Sequence, residues 1–237
     1  MSDKVDLKLD WCSYEAAKFA VEHWHYSKRM VATIQKPVKI GIWEDGQFIG
    51  VVVFGCGASS DLGSQYGLDK MQVAELVRIA IKSGHKSAVT KIMKISLSML
   101  KKSNPGLRLI VSFADPNQKH IGAIYQAGNW IYTGTSSQST VYISKDGHEF
   151  HARNIGTYTG TDKYGVKKYS RSEMVREEKR PGKYRYLFPL DDAMRKQIEP
   201  LRKPYPKRER GEIDNAAESN PQTGGASPTR SLLQEAE

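Results

Sequence analysis

The stretch LRLIVSFADPNQKHIGAIYQAGNWIYTG, residues 107–134, decides the fold class. An apolar run ends at Asp115, an amphipathic segment that carries Tyr125 follows, and the chain then returns to an apolar run. This order predicts a strand, a short turn, a helix and a second strand. It raises two questions: why an apolar strand ends on a carboxylate, and what the tyrosine does in the helix beyond.

The residues before this stretch predict the rest of a mixed α/β fold. Ser13 is expected to cap a first helix, the Asp-Gly pair at 45–46 to form a hairpin turn, and residues 76–81 to form an apolar strand. Ser87 is expected to cap the long helix that follows. This order predicts that strand 76–81 pairs in parallel with strand 107–114. Parallel neighbours open a crevice at their carboxyl ends, where ligands commonly bind.

The composition indicates a basic intracellular protein whose leading partner class is a polyanion. The chain has 237 residues and a formal net charge of +10, and Cys12 and Cys56 are its cysteines. Two cysteines without CxxC spacing argue against a disulfide framework. The first residues lack an apolar signal core and no apolar run is long enough to span a bilayer, so we expect a cytoplasmic protein without a membrane partner. A merely solvated basic surface is the alternative to a polyanion partner.

The turn KSGHKSA, residues 82–88, is a candidate phosphate-binding turn. Backbone N–H groups exposed at a helix N-terminus attract anions, and the lysines of the turn add positive charge. The turn residues predicted to bind a cofactor are Lys82, Gly84, His85, Lys86 and Ser87. Because the turn has one glycine where a strong phosphate-binding loop has two or three, an ordinary strand-to-helix connection is the alternative.

Two further places carry candidate chemistry. A carboxylate at the end of an apolar strand, such as Asp115, needs either a capping role or a chemical one, because desolvation is costly. Asp-Pro-Asn is good turn chemistry, so capping is the alternative here. His25 and Tyr26 lie in the basic segment after the first helix. His23 is two residues from His25 and would not share its helix face, so the partners of His25 are expected to be distant in sequence.

Residues 151–186 interleave cations with tyrosines. Lys and Arg neutralise phosphates and Tyr stacks on bases, which favours a nucleic acid over a solvated basic face. The residues predicted to contact DNA are Lys163, Lys167, Lys168, Arg171, Lys183 and Arg185. The chain is expected to divide into a catalytic domain at 1–150, a basic extension packed on the core at 151–200, and a disordered tail at 201–237.

The order of strand, glycine-containing turn and long helix, followed by Asn117, Tyr125 and the strand GNWIYTG, resembles the GNAT acyltransferase superfamily over about residues 10–143. The resemblance implies a mixed central sheet with flanking helices that binds acetyl-CoA or another acyl donor, with Asn117 among the cofactor-binding residues. It also implies that Tyr125 protonates the leaving thiolate. A core aromatic is the alternative for Tyr125, and the turn departs from the superfamily's pattern of Arg or Gln, Gly, and Gly or Ala.

A more specific resemblance lies in the ordered blocks HWHYSKRM, VKIGIWEDGQFIGVVVFGCGAS, ELVRIAIKSGHKSAVTKIM, FADPNQKHIGAIYQAGNWIYTG and HEFHARNIGTYTGTDKYGVKKYSR. They resemble the bacteriophage Mom family of DNA modification proteins over about residues 10–190. The resemblance implies conversion of adenine to N6-carbamoylmethyladenine in double-stranded or locally opened DNA, which protects phage DNA from host restriction enzymes. It implies the active-centre residues His25, Tyr26 and Asp115, and an iron site with His25 and Asp115 as ligand candidates.

Two other functions stay open from the sequence. An N-acetyltransferase acting on an amine or a protein would keep Tyr125 and make the basic segment incidental. A non-catalytic DNA-binding protein would account for the weak phosphate-binding turn. The sequence fixes neither the donor of the transferred group nor whether the chain forms a homodimer.

Overall fold

The computed structural model describes residues 5–30, 37–56, 62–157, 159–161 and 167–207. The helices within these ranges are α1 (Tyr14–Trp24), α2 (Val89–Ser103), α3 (Ala123–Ala127) and α4 (Asp192–Ile198). The strands are β1 (Leu7–Trp11), β2 (Val38–Glu44), β3 (Gln47–Gly55), β4 (Val73–Ile81), β5 (Leu109–Ala114), β6 (Ile131–Thr135), β7 (Ser139–Ser144), β8 (Glu149–His151), β9 (Ile155–Gly156), β10 (Gly160–Thr161), β11 (Lys167–Ser170), β12 (Met174–Arg180) and β13 (Tyr184–Pro189).

The main sheet has seven strands in the order β1-β2-β3-β4-β5-β13-β6. Neighbouring strands in it are antiparallel except β4 and β5, which run parallel. The predicted mixed α/β class is therefore confirmed. The two strands predicted to be parallel do pair, although the paired residues of β4 are 73–75, just before the predicted strand 76–81. Two small sheets, with the orders β12-β7-β8 and β10-β11-β9, accompany the main one.

Local signals explain how several of these elements begin and turn. Ser13 is the N-cap of α1 and its side chain accepts a hydrogen bond from the Ala16 N–H, as predicted. Asp45 and Gly46 both have positive φ, which a tight hairpin turn between β2 and β3 requires. The prediction for Ser87 is wrong: α2 starts after Ala88 without a side-chain cap.

Helices cover both faces of the main sheet. On one face α2 and α3 bury a cluster that includes Ile92, Leu97, Leu100 and Tyr125. On the other face α1 packs on β3 and β4, and α4 packs on β5, β13 and β6. Because successive strand residues point to opposite faces, strands buried on both sides are apolar almost throughout, as β3 is.

The parallel pairing of β4 and β5 is short. It extends over three residue pairs, from Val73 with Leu109 to Glu75 with Val111. Beyond them the Ser112 hydroxyl donates to the Leu76 carbonyl at 2.9 Å. The register of β4 against β3 shifts at the same level, between Leu76 and Arg78, as a β-bulge does. The two strands therefore separate toward their carboxyl ends.

The main sheet crosses the domain boundary that the sequence predicts near residue 150. β13 lies between β5 and β6 and pairs with both, so part of the basic extension is a central strand rather than a layer packed on the core. The chain also stays hydrogen-bonded to the core beyond residue 201. The Lys203 N–H donates to the Tyr132 carbonyl, and the Tyr205 hydroxyl donates to the Trp130 carbonyl at 2.6 Å. The rest of the predicted tail, residues 208–237, lies outside the described residues.

None of the helices in the described part of the chain has the length and apolar character that crossing a lipid bilayer requires.

Gly122, which precedes α3, provides a test of this packing. It has a φ of +80°, and an added Cβ would clash with the Tyr186 ring. We predict that Gly122→Ala lowers the free energy of unfolding by about 2–4 kcal/mol, the sum of left-handed strain and overpacking. Gly106→Ala is the matched control, because nothing lies within 4 Å of its Cβ position, and it should change stability by about 0.5 kcal/mol or less. Equal denaturation midpoints for the two variants would contradict the packing described.

Candidate active site

A crevice of about 770 Å³ lies where β4 and β5 separate. Its lining comes from the end of α1, from β4, from the segment after β5, from α3 and from one end of the β12-β7-β8 sheet. The structure thus brings the four predicted catalytic residues to one cavity. The polar and aromatic lining includes His25, Tyr26, Arg78, Asp115, His120 and Tyr125.

His25 is held as a neutral imidazole. Burial lowers its pKa to about 3, and the nearby charges of Arg78, His120 and Lys28 act in the same direction. The Ser27 N–H donates to Nδ1 at 3.1 Å, so Nδ1 is the acceptor nitrogen. The ring proton therefore resides on Nε2, and His25 is suited to donate a hydrogen bond rather than to accept a proton.

Tyr26 lies between two histidines. Its ring packs on His25 at a centroid distance of 4.3 Å and meets His120 edge-on at 4.9 Å. The side chain is 48% exposed, yet burial around the hydroxyl raises its pKa, with Lys183, Asp115 and Arg78 close enough to act on it. A fixed, half-exposed ring at the mouth of a crevice is a surface on which a planar group can stack.

Asp115 caps a turn with one carboxylate oxygen and leaves the other for a chemical role. Its Oδ1 accepts the Asn117 N–H and the Asn117 side-chain amide, each at 3.0 Å, and so caps the turn at Pro116–Gln118. Its Oδ2 lies 3.2 Å from Lys183 Nζ. The capping alternative is thus correct for one oxygen, while the other lies in the crevice beside a cation. Asn117, predicted to bind a cofactor, lines the crevice and fixes the orientation of this carboxylate.

Tyr125 is buried and its hydroxyl is engaged. Its oxygen lies 2.8 Å from the Ser112 oxygen. Ser112 has one hydroxyl proton and gives it to the Leu76 carbonyl, so Tyr125 donates to Ser112. Burial raises the pKa of Tyr125 to about 12, which keeps the hydroxyl protonated at neutral pH. The ring also packs on Trp130 and Tyr186 in the core, so the core-aromatic reading describes its ring correctly.

Arg78 and His120 are among the crevice residues that sequence reasoning missed. Arg78 is half-buried; its Nη1 donates to the Val77 carbonyl at 2.8 Å, and its Nε is buried without a hydrogen-bond partner among the described residues. The guanidinium keeps its charge and has donors left for a ligand. A charge inside the apolar run LVRIAI was the signal for Arg78. His120 gave none beyond its nearness to Asp115.

The predicted phosphate-binding turn is occupied by the chain's own carboxylate. Glu44, at the end of β2, accepts the Lys86 N–H at 3.0 Å and the Ser87 N–H at 2.6 Å. His85 folds back onto the turn, with its Nδ1 2.9 Å from the Ser87 carbonyl oxygen. Lys82 and Gly84 line a separate cavity of about 280 Å³ beside Glu44.

The residues implied as iron ligands do not fit a metal ion. His25 and Asp115 line the same crevice, but no group of three or more His, Cys, Asp or Glu side chains in the described ranges is placed to hold a metal. Positive charge already surrounds both residues, since Lys183 pairs with Asp115 while Arg78 and Lys28 act on His25. The expectation of iron is therefore not supported, and no step below uses it.

The predicted DNA contacts lie in different surroundings. Arg171 pairs with Glu177 at 2.6 Å and lies over the Tyr142 ring, and Arg185 donates to Thr133 and Gln65. Lys183 lines the crevice, unlike the other described members of the set. The remaining members are Lys167, which lies over the Tyr169 ring, Lys168, which is half-buried, and Lys163, which lies outside the described residues.

The chain is thus an α/β protein with a crevice where two parallel strands separate. The sequence matches the Mom protein family over residues 6–207, and the chain belongs to that family. The predicted family membership is confirmed. The methylcarbamoylase Mom of Escherichia phage Mu is 24% identical over 208 residues, which cover 85% of this chain and 84% of the phage Mu protein.

Solved structures with a similar fold are acyltransferases by name. FeeM, an N-acyl amino acid synthase from uncultured soil microbes, has a TM-score of 0.46 and 11% identity, covering 85% of this chain and 100% of its own. An IAA acetyltransferase from Bacillus cereus ATCC 14579 has a TM-score of 0.44 and 17% identity, covering 78% of this chain and 100% of its own.

The protonation state of His25 can be measured directly. We predict that the His25 ring stays neutral from pH 8 to pH 5 with its proton on Nε2, because its pKa of about 3 lies well below the usual 6.5. Nitrogen-15 NMR of histidine-labelled protein reports both properties, and the same protein unfolded in urea is the reference, since an unfolded histidine has a pKa of about 6.5. An imidazolium signal for His25 at pH 6 would contradict this arrangement.

The lowered pKa of His25 makes the stability of the protein depend on pH. Since the unfolded state binds the His25 proton more tightly, this residue contributes full stability above about pH 6.5, and the contribution falls as the pH drops toward 3. We predict that His25→Asn flattens this part of the stability curve, measured as the free energy of unfolding in urea at pH 7.5 and pH 5. An unchanged slope between the two pH values would contradict it.

Proposed function

We propose that this protein is a DNA modification enzyme that converts adenine to N6-carbamoylmethyladenine, so protecting phage DNA in the host cytoplasm from restriction enzymes. One observation carries the proposal: in a chain that belongs to the Mom family, His25, Tyr26 and Asp115 come from distant segments to one crevice. The relative in phage Mu is a methylcarbamoylase, a name that fits transfer of this group.

The reaction joins adenine N6 to a methylene carbon. A bond between that carbon and the donor's leaving group breaks, and one N6 proton is lost. The exocyclic amine is a weak nucleophile because its lone pair is delocalised into the ring, so it needs a proton acceptor nearby or an activated electrophile. Acyl transfer from a thioester would join N6 to a carbonyl carbon instead, and so would give a different product.

The crevice residues suit these tasks. The Asp115 carboxylate, oriented by Asn117, accepts a hydrogen bond from the adenine amine and takes its proton. Neutral His25 donates from Nε2 to a carbonyl of the transferred group, which draws electrons from the neighbouring carbon. Tyr125 is protonated at neutral pH and can give the leaving group the proton that it otherwise donates to Ser112.

The adenine must leave the DNA stack to reach this site. In duplex DNA its amine is paired and stacked, so the enzyme flips the base at a cost of a few kcal/mol or acts where the strands are open. The Tyr26 ring offers a stacking surface at the crevice mouth. Lys183 and Arg180 line the same cavity and can contact the flanking phosphates.

The modification can be tested on plasmid DNA. We predict that bacteria expressing the wild-type protein yield a deoxyadenosine derivative with the mass of a carbamoylmethyl adduct, detected by nucleoside mass spectrometry. Asp115→Asn should lower its amount about 100-fold or more, because a positioned proton acceptor is worth that much, while the retained Oδ1 still caps the turn. Asp10→Asn, at an exposed carboxylate of β1, is the matched control and should modify normally.

Both variants must melt at the wild-type temperature for this comparison to hold. Unmodified deoxyadenosine beside soluble, folded wild-type protein would contradict the proposed function, and full modification by Asp115→Asn would contradict the role of the carboxylate.

The stacking role of Tyr26 has its own test. We predict that Tyr26→Ala weakens binding to single-stranded, adenine-containing DNA by about 1–3 kcal/mol, measured by fluorescence anisotropy at one fixed salt concentration. Tyr26→Phe keeps the ring and should bind like the wild type. Similar affinities for Tyr26→Ala and Tyr26→Phe would show that the ring does not hold a base.

A further inference from the structure

Glu44 is a buried carboxylate in the place where a cofactor phosphate was expected. Its side chain is 7% exposed and lies at the end of β2, across from the turn between β4 and α2. Both of its oxygens accept backbone N–H groups of that turn, one from Lys86 and one from Ser87. Two amides before a helix holding one anion is the arrangement by which such turns bind phosphate.

The hydrogen bonds between the turn and Glu44 have a charged acceptor. Burial on its own would raise the pKa of Glu44, but the hydrogen bonds from Ser87 and Lys86 outweigh it and the pKa is lowered. The group is therefore a carboxylate at neutral pH. A charged acceptor strengthens such hydrogen bonds, so the contacts hold the turn firmly.

The charges around the turn also disfavour a second anion. Lys86 Nζ lies 3.7 Å from Asp45 Oδ2. The side chain of Lys86 therefore faces the Asp45 carboxylate, while its backbone N–H binds the Glu44 carboxylate. The small cavity at the turn is lined by two carboxylates, Glu44 and Asp45, and by the ammonium groups of Lys82 and Lys86. These charges cancel, and a diphosphate there would have to displace Glu44 and then remain beside it.

We propose that Glu44 permanently fills the anion position of this turn, and that the donor of the transferred group is a small molecule without a diphosphate, bound in the crevice between β4 and β5. This rests on the proposed function, and it replaces the expectation that Lys86 and Ser87 bind acyl-CoA. The crevice meets the needs of such a donor, because Arg78 and His25 line it and offer hydrogen-bond donors.

Calorimetric titration of the full chain with coenzyme A and with inorganic pyrophosphate tests the role of Glu44. The wild type should show no binding that depends on the turn, so Lys86→Ala should leave the heats unchanged. Glu44→Ala frees the two amides and should increase pyrophosphate affinity at least tenfold. Micromolar coenzyme A binding by the wild type that Lys86→Ala weakens tenfold would overturn the proposal. Because Lys86 is exposed, Lys86→Ala should fold, and the comparison of this variant with the wild type remains a test even if Glu44→Ala does not fold.

A reconstituted reaction tests the class of donor. Purified protein and DNA are incubated with the low-mass fraction of a bacterial extract, either untreated or treated with phosphatase and nucleotide pyrophosphatase. Equal modification in both reactions supports a donor without a diphosphate. Loss after treatment, restored by an added coenzyme A thioester, would overturn it. Absence of modification with the untreated extract would instead contradict the proposed function, whereas the titration decides the role of Glu44 without turnover.

Discussion

The site depends on one interruption of regular structure, the separation of β4 from β5 after three residue pairs. Parted strands leave backbone carbonyls without ladder partners, and buried carbonyls need hydrogen bonds. The Ser112 hydroxyl serves the Leu76 carbonyl and the Arg78 guanidinium serves the Val77 carbonyl. Side chains therefore stabilise the opening, and one of them, Arg78, also lines the crevice it keeps open.

This opening lets groups from both faces of the sheet meet. α1 delivers His25 and Tyr26 from one face, and α3 delivers Tyr125 from the other. The charge of Arg78 acts in the same direction on these groups: it lowers the pKa of the imidazole and of each tyrosine, although burial keeps both phenols protonated. The crevice thus holds two neutral hydrogen-bond donors, His25 and Tyr125, together with the Asp115 carboxylate, which suits a neutral amine nucleophile and a polarised carbonyl.

Local rules in the sequence predicted what local interactions decide. The Ser13 cap, the turn at 45–46 and the parallel pair followed from neighbouring residues and from the order of elements. The sequence did not predict the role of Glu44, a carboxylate more than forty positions away that accepts the N–H groups of Lys86 and Ser87 in the predicted phosphate-binding turn. No pattern in the sequence announces that partner.

The same limit applies to β13 and to the crevice. The apolar run of β13 predicted a strand, but the place of β13 between β5 and β6 depends on long-range pairing that periodicity does not encode. The active-centre roles of His25, Tyr26 and Asp115 came from a family resemblance, and their meeting in one cavity is a property of the fold. Arg78 was visible in the sequence as a charge in an apolar strand. Its contact with the Val77 carbonyl and its place in the crevice could be recognised only from the structure.

The central claim is that adenine enters the crevice between β4 and β5. The most direct measurement is a crystal structure of the Asp115→Asn variant bound to a short duplex with one mismatched adenine. The account predicts an adenine extruded into the crevice, stacked on Tyr26, with N6 within hydrogen-bond distance of residue 115. An ordered complex with that adenine bound elsewhere on the protein, or with an empty crevice, would contradict it.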